Sequence, residues 1–108
     1  MDGRAEIHAE LDKAQQARAR GNEGQARVCA RRAAGLAIRE YLARRGTPTK
    51  NASAIDLLHQ LRDDPAISPD LKSLIDHLTL RVDEEFSLPL AVDLIADAKQ
   101  LCDMLAAS

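Results

Sequence analysis

Aromatic residues are nearly absent from this sequence: of its 108 residues, one is tyrosine, one is phenylalanine and none is tryptophan. Valine and isoleucine are also scarce, with three and six residues, whereas alanine and leucine number 19 and 15. Because alanine and leucine favour helices while β-branched and aromatic residues favour strands, the composition excludes most β-sandwich and β-barrel folds. The lack of aromatic rings also disfavours nucleic-acid recognition by base stacking. We therefore expect an all-α protein.

Cysteine is scarce, and the sequence lacks long apolar runs and a hydrophobic leader. The two cysteines, Cys29 and Cys102, are too few for a disulfide scaffold or a zinc site. Their positions among apolar helical residues predict free thiols in the core of a protein from a reducing cytoplasm. No apolar run approaches the roughly 18 residues of a transmembrane helix, and the N-terminus has no signal-like segment. We expect one cytoplasmic domain over residues 1–108, without membrane contact.

No motif of catalysis or of cofactor binding stands out. The histidines His8, His59 and His77 lie on separate predicted helices and form no HxxxH pair, so we expect no metal site. His59 and His77 are predicted to be hydrogen-bonded residues at the edge of the core. Gly21 and Gly24 match neither a P-loop nor a dinucleotide-binding loop, so no cofactor is expected.

Five amphipathic helices fit between four segments rich in turn-forming residues. The predicted helices cover residues 4–20, 25–45, 52–62, 69–82 and 88–107. Asn51 or Ser53 is expected to cap the third helix, Ser68 the fourth and Ser87 the fifth. The predicted core stripes are Ile7, Leu11 and Ala14; Ile55, Leu58 and Leu61; Leu71, Leu74, Ile75, Leu78 and Val82; and Ala91, Leu94, Ile95, Ala98, Leu101, Cys102 and Leu105.

The second predicted helix differs from the others because apolar residues surround most of its circumference. Such a helix is buried on several sides, so we expect it at the centre of the bundle or in an interface. Its alanines and Gly35 are expected to let neighbouring backbones approach closely. Since we expect its apolar surface to exceed what four short helices can cover, we predict a homodimer.

Charge is divided unevenly along the chain. Residues 1–50 carry a net charge of +5, and residues 51–108 carry −7. The central helix holds two arginine pairs: Arg27 and Arg31 share one face, and Arg32 and Arg39 share another. We expect interhelical ion pairs with acidic residues of the second half: Asp76, Asp83, Glu84, Glu85, Asp93 and Asp97. The alternative is an anion site for phosphate or for the RNA backbone.

The order of these segments resembles one known family. A helical pair is joined by Gly21-Asn22, and its second helix includes ARVCARRAAGLAIREYL (residues 26–42). The segments AIDLLHQL (54–61) and LKSLIDHLTLRV (71–82) follow, and a last helix comes after Ser87-Leu88-Pro89. Over residues 5–105 this pattern resembles the HEPN domains. The resemblance implies a five-helix up-and-down bundle that dimerises, in proteins that act as RNases, as toxins of toxin–antitoxin pairs or as partners of nucleotidyltransferases.

The catalytic motif of that family is absent here. It consists of an arginine followed, after four to six residues, by a histidine. Arg81 lies where the arginine is expected, but Phe86, Ser87 and Leu88 occupy the histidine positions. We therefore predict a non-catalytic interaction module that binds a protein or nucleic-acid partner, such as a nucleotidyltransferase or an antitoxin. The alternatives are a purely structural helical adaptor, or a ribonuclease or toxin–antitoxin component whose variant site comprises Arg81, Lys72 and His77.

Overall fold

The computed structural model describes residues 4–49, 52–80 and 93–107, and all regular structure within these ranges is helical. The five helices are α1 (Arg4–Ala19), α2 (Glu23–Arg44), α3 (Ala54–Arg62), α4 (Pro69–Leu78) and α5 (Leu94–Ala106). They pack into a compact bundle with a radius of gyration of 13.3 Å. The predicted all-α fold class is thereby confirmed.

Helix α2 lies at the centre of the bundle. It packs against α1, α3 and α5, and α4 contacts α3 and α5. Of the 22 residues of α2, ten are buried, and five of these are alanine. Because α2 meets three neighbours, apolar residues are needed on several of its sides, as its sequence predicted.

The helices begin at residues whose side chains satisfy free backbone N–H groups. Asn22 Oδ1 accepts a hydrogen bond from the Gln25 N–H at 3.1 Å. Ser53 and Asp56 form a reciprocal capping box at the start of α3. Ser68 caps α4, with proline at the first helical position. The predicted caps at Ser53 and Ser68 are confirmed, whereas Asn51 lies outside the described residues.

The predicted end of α4 at Val82 is wrong, because the helix ends at Leu78. The Thr79 hydroxyl donates back to the carbonyl oxygens of Ile75 at 2.9 Å and of Asp76 at 3.2 Å. Such bonds from a threonine side chain compete with continuation of the helical ladder.

The predicted start of the last helix at residue 88 is also wrong. Helix α5 begins at Leu94 because Asp93 has an extended backbone and its carboxylate accepts from the N–H groups of Ile95 and Ala96. The predicted cap Ser87 lies outside the described residues, within a turn that the sequence predicts at residues 85–89. The same holds for the stripe residues Val82 and Ala91.

Most predicted core stripes are buried, including the described members of the α4 and α5 stripes. In α1, Ile7 and Ala14 are buried and Leu11 is partly buried. Ile55 was expected in the buried stripe of α3 but is 39% exposed. On α2, whose circumference was expected to be largely buried, Val28 is 38% exposed. In α3 the buried position is Leu57 instead, because α3 meets α2 through Ala54 and Leu57.

Helices α2 and α3 approach most closely at Gly35. A Cβ atom built on Gly35 would lie 2.9 Å from the Cβ atom and 3.0 Å from the Cα atom of Ala54. These separations are shorter than ordinary van der Waals contact between carbon atoms, so only glycine fits without a shift of α3. The close backbone approach expected from the small residues of α2 is confirmed.

Candidate binding surfaces on helix α2

The two arginine pairs of α2 lie on two separate concave surfaces. Arg32 and Arg39 line an open groove, and Arg27 and Arg31 line a second pocket. This division follows the two helical faces that the spacing of the arginines predicted.

The first surface, which we call the α1–α3 groove, runs over α2 between α1 and α3. Its volume is about 370 Å³. Gly35 and Leu36 contribute to it from α2, together with apolar atoms of Ala54 and Leu57 from α3. The residues that line it are Glu6, Ala9, Glu10, Lys13, Arg32, Gly35, Leu36, Arg39, Ala54 and Leu57. The groove therefore combines apolar residues with acidic groups on α1 and basic groups on α2.

Glu10 is the unusual residue of this groove. Its side chain is only 17% exposed, and its Oε1 atom lies 3.5 Å from the Lys13 ammonium group. The other carboxylate oxygen, Oε2, is buried and has no hydrogen-bond partner among the described residues. Since an unsatisfied buried acceptor costs free energy, rotation of the Glu10 carboxylate towards a donor on an occupant of the groove is favourable.

Arg39 is held at the opposite side of the groove. Its Nη2 atom donates to the Ala52 carbonyl oxygen at 2.8 Å, just before α3 begins. Arg32, seven residues earlier in α2, is exposed and makes no hydrogen bond or ion pair with the described residues. Both guanidinium groups retain donors for an acidic group placed in the groove.

Arg31 connects α2 to the end of α4. Its Nε atom donates to the Leu78 carbonyl oxygen at 2.7 Å, and its Nη2 atom donates to that of Leu80 at 2.9 Å. The last carbonyl groups of a helix lack intrahelical donors, so a buried guanidinium is a suitable partner for them. Burial lowers the pKa of Arg31 from its ordinary value, and the positive charge of Arg27 lowers it further.

The second surface, which we call the arginine pocket, lies between α2, α3 and the end of α4. Its volume is about 540 Å³. Arg27 and Arg31 face it from α2, and His59 faces it from α3. The residues that line it are Gly24, Arg27, Arg31, Ile55, His59, Thr79 and Leu80.

The interhelical ion pairs predicted for the four α2 arginines do not form within residues 4–49, 52–80 and 93–107. Asp76 instead pairs with Arg62 at 2.6 Å, and Asp93 pairs with Arg18 of α1 at 2.9 Å. Asp97 accepts from His77 at 3.1 Å. The partners of these three carboxylates thus lie on α3, α1 and α4, and none lies on α2. The acidic residues Asp83, Glu84 and Glu85 lie outside the described residues.

The structure describes two of the three residues of the variant catalytic site. Arg81 lies outside the described residues. Lys72 and His77 both lie on α4, but they form no hydrogen bond with each other, and His77 Nδ1 is engaged by Asp97 on α5. His77 is thus a partly buried residue at the edge of the core, as predicted. His59 is exposed instead, because it lies on the side of α3 that faces the arginine pocket.

Within residues 4–49, 52–80 and 93–107, no three histidine, cysteine or acidic side chains are grouped to hold a metal ion. None of the described helices combines the length and the apolar character that crossing a bilayer requires.

Both cysteines are buried free thiols, as the sequence predicted. Cys102 Sγ lies 3.7 Å from the Ala33 carbonyl oxygen, to which it donates. Burial raises the pKa of the Cys102 thiol to about 12, with a further contribution from the charge of Asp103. At neutral pH this thiol is therefore protonated and poorly nucleophilic.

We expect neither thiol to react with Ellman's reagent at pH 8 in the folded protein, because Cys29 and Cys102 are only 1% and 8% exposed. Two thiols per chain should react after unfolding in guanidinium chloride without reductant. A count of zero after unfolding would show that the cysteines are oxidised, and rapid reaction of the folded protein would contradict their burial.

Comparisons with protein-family models, with curated proteins and with solved structures gave no match to this chain. The fold and the two α2 surfaces thus define an all-α helical bundle with an amphipathic groove and a basic pocket.

The sequence did not reveal the role of Glu10 in the α1–α3 groove. In the sequence, Glu10 looks like any solvated acidic residue of α1. The polar and apolar residues of α1 are not separated into two clear faces, so its buried side is hard to predict. Gly35 also lines the groove, but its lack of a side chain serves the close contact with Ala54 of α3.

Proposed function

We propose that this chain is a non-catalytic interaction module that binds an amphipathic helix of a protein partner in the α1–α3 groove. The observation that carries the proposal is the buried Oε2 atom of Glu10, which has no hydrogen-bond partner in the described part of the chain and lies at a groove that is otherwise partly apolar. A partner that supplies a donor there satisfies this oxygen while it covers the partly buried side chain of Leu36.

The shape of the groove favours a helix as the occupant. Glu6 and Lys13 on α1 are seven residues apart, as are Arg32 and Arg39 on α2. At 1.5 Å per residue, each pair spans roughly 10 Å, or two helical turns. Because α1 and α3 flank α2 on either side, a helix laid along the groove completes a four-helix arrangement.

The charges of the groove specify the chemistry of the partner helix. A lysine or arginine on one flank of that helix meets Glu10 and Glu6, and an aspartate or glutamate on the other flank meets Arg32 and Arg39. Between these flanks, small apolar side chains contact Leu36 and Gly35. This arrangement fixes both the direction and the register of the bound helix.

A separate protein fits these features better than a second copy or RNA. Two copies that met groove to groove would oppose two concave surfaces and leave the space between them unfilled. An RNA backbone would bring phosphates to the carboxylates of Glu6 and Glu10. A helical segment of a nucleotidyltransferase or an antitoxin, the partners that the HEPN resemblance implies, is the occupant that we propose.

The proposal is tested with a displayed library of 20-residue amphipathic helices whose flanking charges are randomised. Selected peptides are measured by calorimetry against the unmodified protein and against Ala9→Trp, in which an exposed α1 residue of the groove becomes large. We expect Ala9→Trp to weaken binding at least about tenfold. The matched control is Ala19→Trp, an exposed position on α1 outside the groove, which is expected to leave the affinity unchanged.

Selected peptides should also lose affinity to Glu10→Gln and should carry a basic residue on one flank. Equal affinity for Ala9→Trp and for the unmodified protein would refute the groove as the site. Light scattering tests whether a second copy of the chain occupies the groove instead. A two-chain mass that Ala9→Trp reduces to one chain would assign the groove to a second copy and overturn the separate partner.

A further inference from the structure

We infer that the arginine pocket is a second binding site, independent of the groove, and that its ligand is a phosphate group. The pocket gathers the cationic side chains of Arg27 and Arg31 with the imidazole of His59, from two different helices. No carboxylate of the described residues lines it. This combination of side chains is suited to an anion with several acceptor oxygens.

Arg31 gives the pocket a fixed positive group. Two of its nitrogen atoms are bound to the carbonyl oxygens of Leu78 and Leu80, which hold the plane of the guanidinium in place. The third nitrogen, Nη1, has no partner among the described residues and remains available to a ligand. A preorganised guanidinium loses little conformational entropy when it binds an anion.

Arg27 and His59 complete the site with hydrogen-bond donors that have no partner among the described residues. Neither side chain forms a hydrogen bond or an ion pair with the described part of the chain. Arg27 lies one turn before Arg31 on the same face of α2, and its charge is close enough to disfavour the charged form of Arg31. A bound anion between the two guanidinium groups relieves this repulsion, and the partial burial of Arg31 strengthens the attraction.

The apolar residues of the pocket favour a ligand that is larger than a phosphate group alone. Ile55 is 39% exposed at this position, and Leu80 lies on the other side. An organic phosphate whose apolar portion covers Ile55 therefore binds more tightly than inorganic phosphate. A free mononucleotide and the backbone of a nucleic acid share this chemistry.

The test is isothermal titration calorimetry at low salt with three probes: inorganic phosphate, adenosine monophosphate and a short oligoribonucleotide. We expect adenosine monophosphate to bind more tightly than inorganic phosphate. Arg27→Gln should weaken binding of each probe about tenfold, since a charged hydrogen bond of this kind is lost. His59→Gln should weaken it several-fold.

Arg20→Gln is the matched control, because Arg20 is exposed, lines neither the groove nor the arginine pocket, and its loss leaves the net charge equal to that of Arg27→Gln. Melting curves establish that each variant is folded. A preference for adenosine monophosphate assigns the site to a free phosphate monoester, and a preference for the oligoribonucleotide with a steep salt dependence assigns it to a nucleic-acid backbone. Equal losses in Arg27→Gln and Arg20→Gln, or affinities weaker than about 10 mM for all probes, would overturn the site.

Discussion

Gly35→Ala is expected to lower the free energy of unfolding by about 1–3 kcal/mol, although alanine is the better helix former. In an open helical position the same change gains up to about 1 kcal/mol. At Gly35 the new methyl group lies 2.9 Å from the Cβ atom and 3.0 Å from the Cα atom of Ala54. Neither atom belongs to a flexible side chain, so α3 must move away from α2, and the packing of Leu57 and Leu58 beneath it is disturbed.

The matched control is Gly24→Ala, which places the same methyl group on the same helix. There its nearest neighbours are Asn22 Oδ1 at 3.8 Å and Arg27 Nη2 at 3.9 Å, which are ordinary contacts. We expect this variant to be equally stable or up to about 1 kcal/mol more stable. Urea denaturation followed by far-ultraviolet circular dichroism measures both changes. A Gly35→Ala protein as stable as the parent would contradict the close approach of α2 and α3.

Arg31→Ala should lower the free energy of unfolding by about 1–3 kcal/mol, because it removes the donors for two carbonyl groups at the end of α4. The carbonyl oxygens of Leu78 and Leu80 accept from Arg31 at 2.7 and 2.9 Å. The guanidinium also fixes the position of the α4 end against α2. Its loss therefore affects the contact between two helices as well as two hydrogen bonds.

Arg32→Ala provides the comparison at the adjacent position. Arg32 is exposed and unpaired among the described residues, so its removal should change the stability by less than about 0.5 kcal/mol. The two variants have the same net charge, so a difference between them reports the local contacts of Arg31. Equal midpoints in urea would show that these hydrogen bonds do not contribute to stability.

Much of the fold follows from local signals in the sequence. The cap residues Ser53 and Ser68 mark where α3 and α4 begin, since a hydroxyl before an apolar run satisfies the first N–H groups. The spacing of leucine and alanine defines the buried faces of α4 and α5. The central position of α2 follows from its apolar circumference.

The remaining features depend on contacts between distant segments, which periodicity does not encode. Arg31 was expected to meet carboxylates, but its partners are main-chain oxygens, and every residue has such an oxygen. Ile55 belongs to a regular apolar pattern, yet the approach of Ala54 to Gly35 turns that face of α3 towards solvent. The groove around Glu10 likewise arises only once α1 and α3 lie on opposite sides of α2.

The packing of α5 against α2 also has a consequence for the order of folding. Helices α1 and α2 are joined by only three residues, so their contacts close short loops and form rapidly. In contrast, the contact between Cys102 and Ala33 joins residues separated by 69 positions, and its loop-closure entropy is correspondingly larger. Docking of α5 is thus favoured as a late event, and weakening its contacts with α2 accelerates unfolding more than it slows folding.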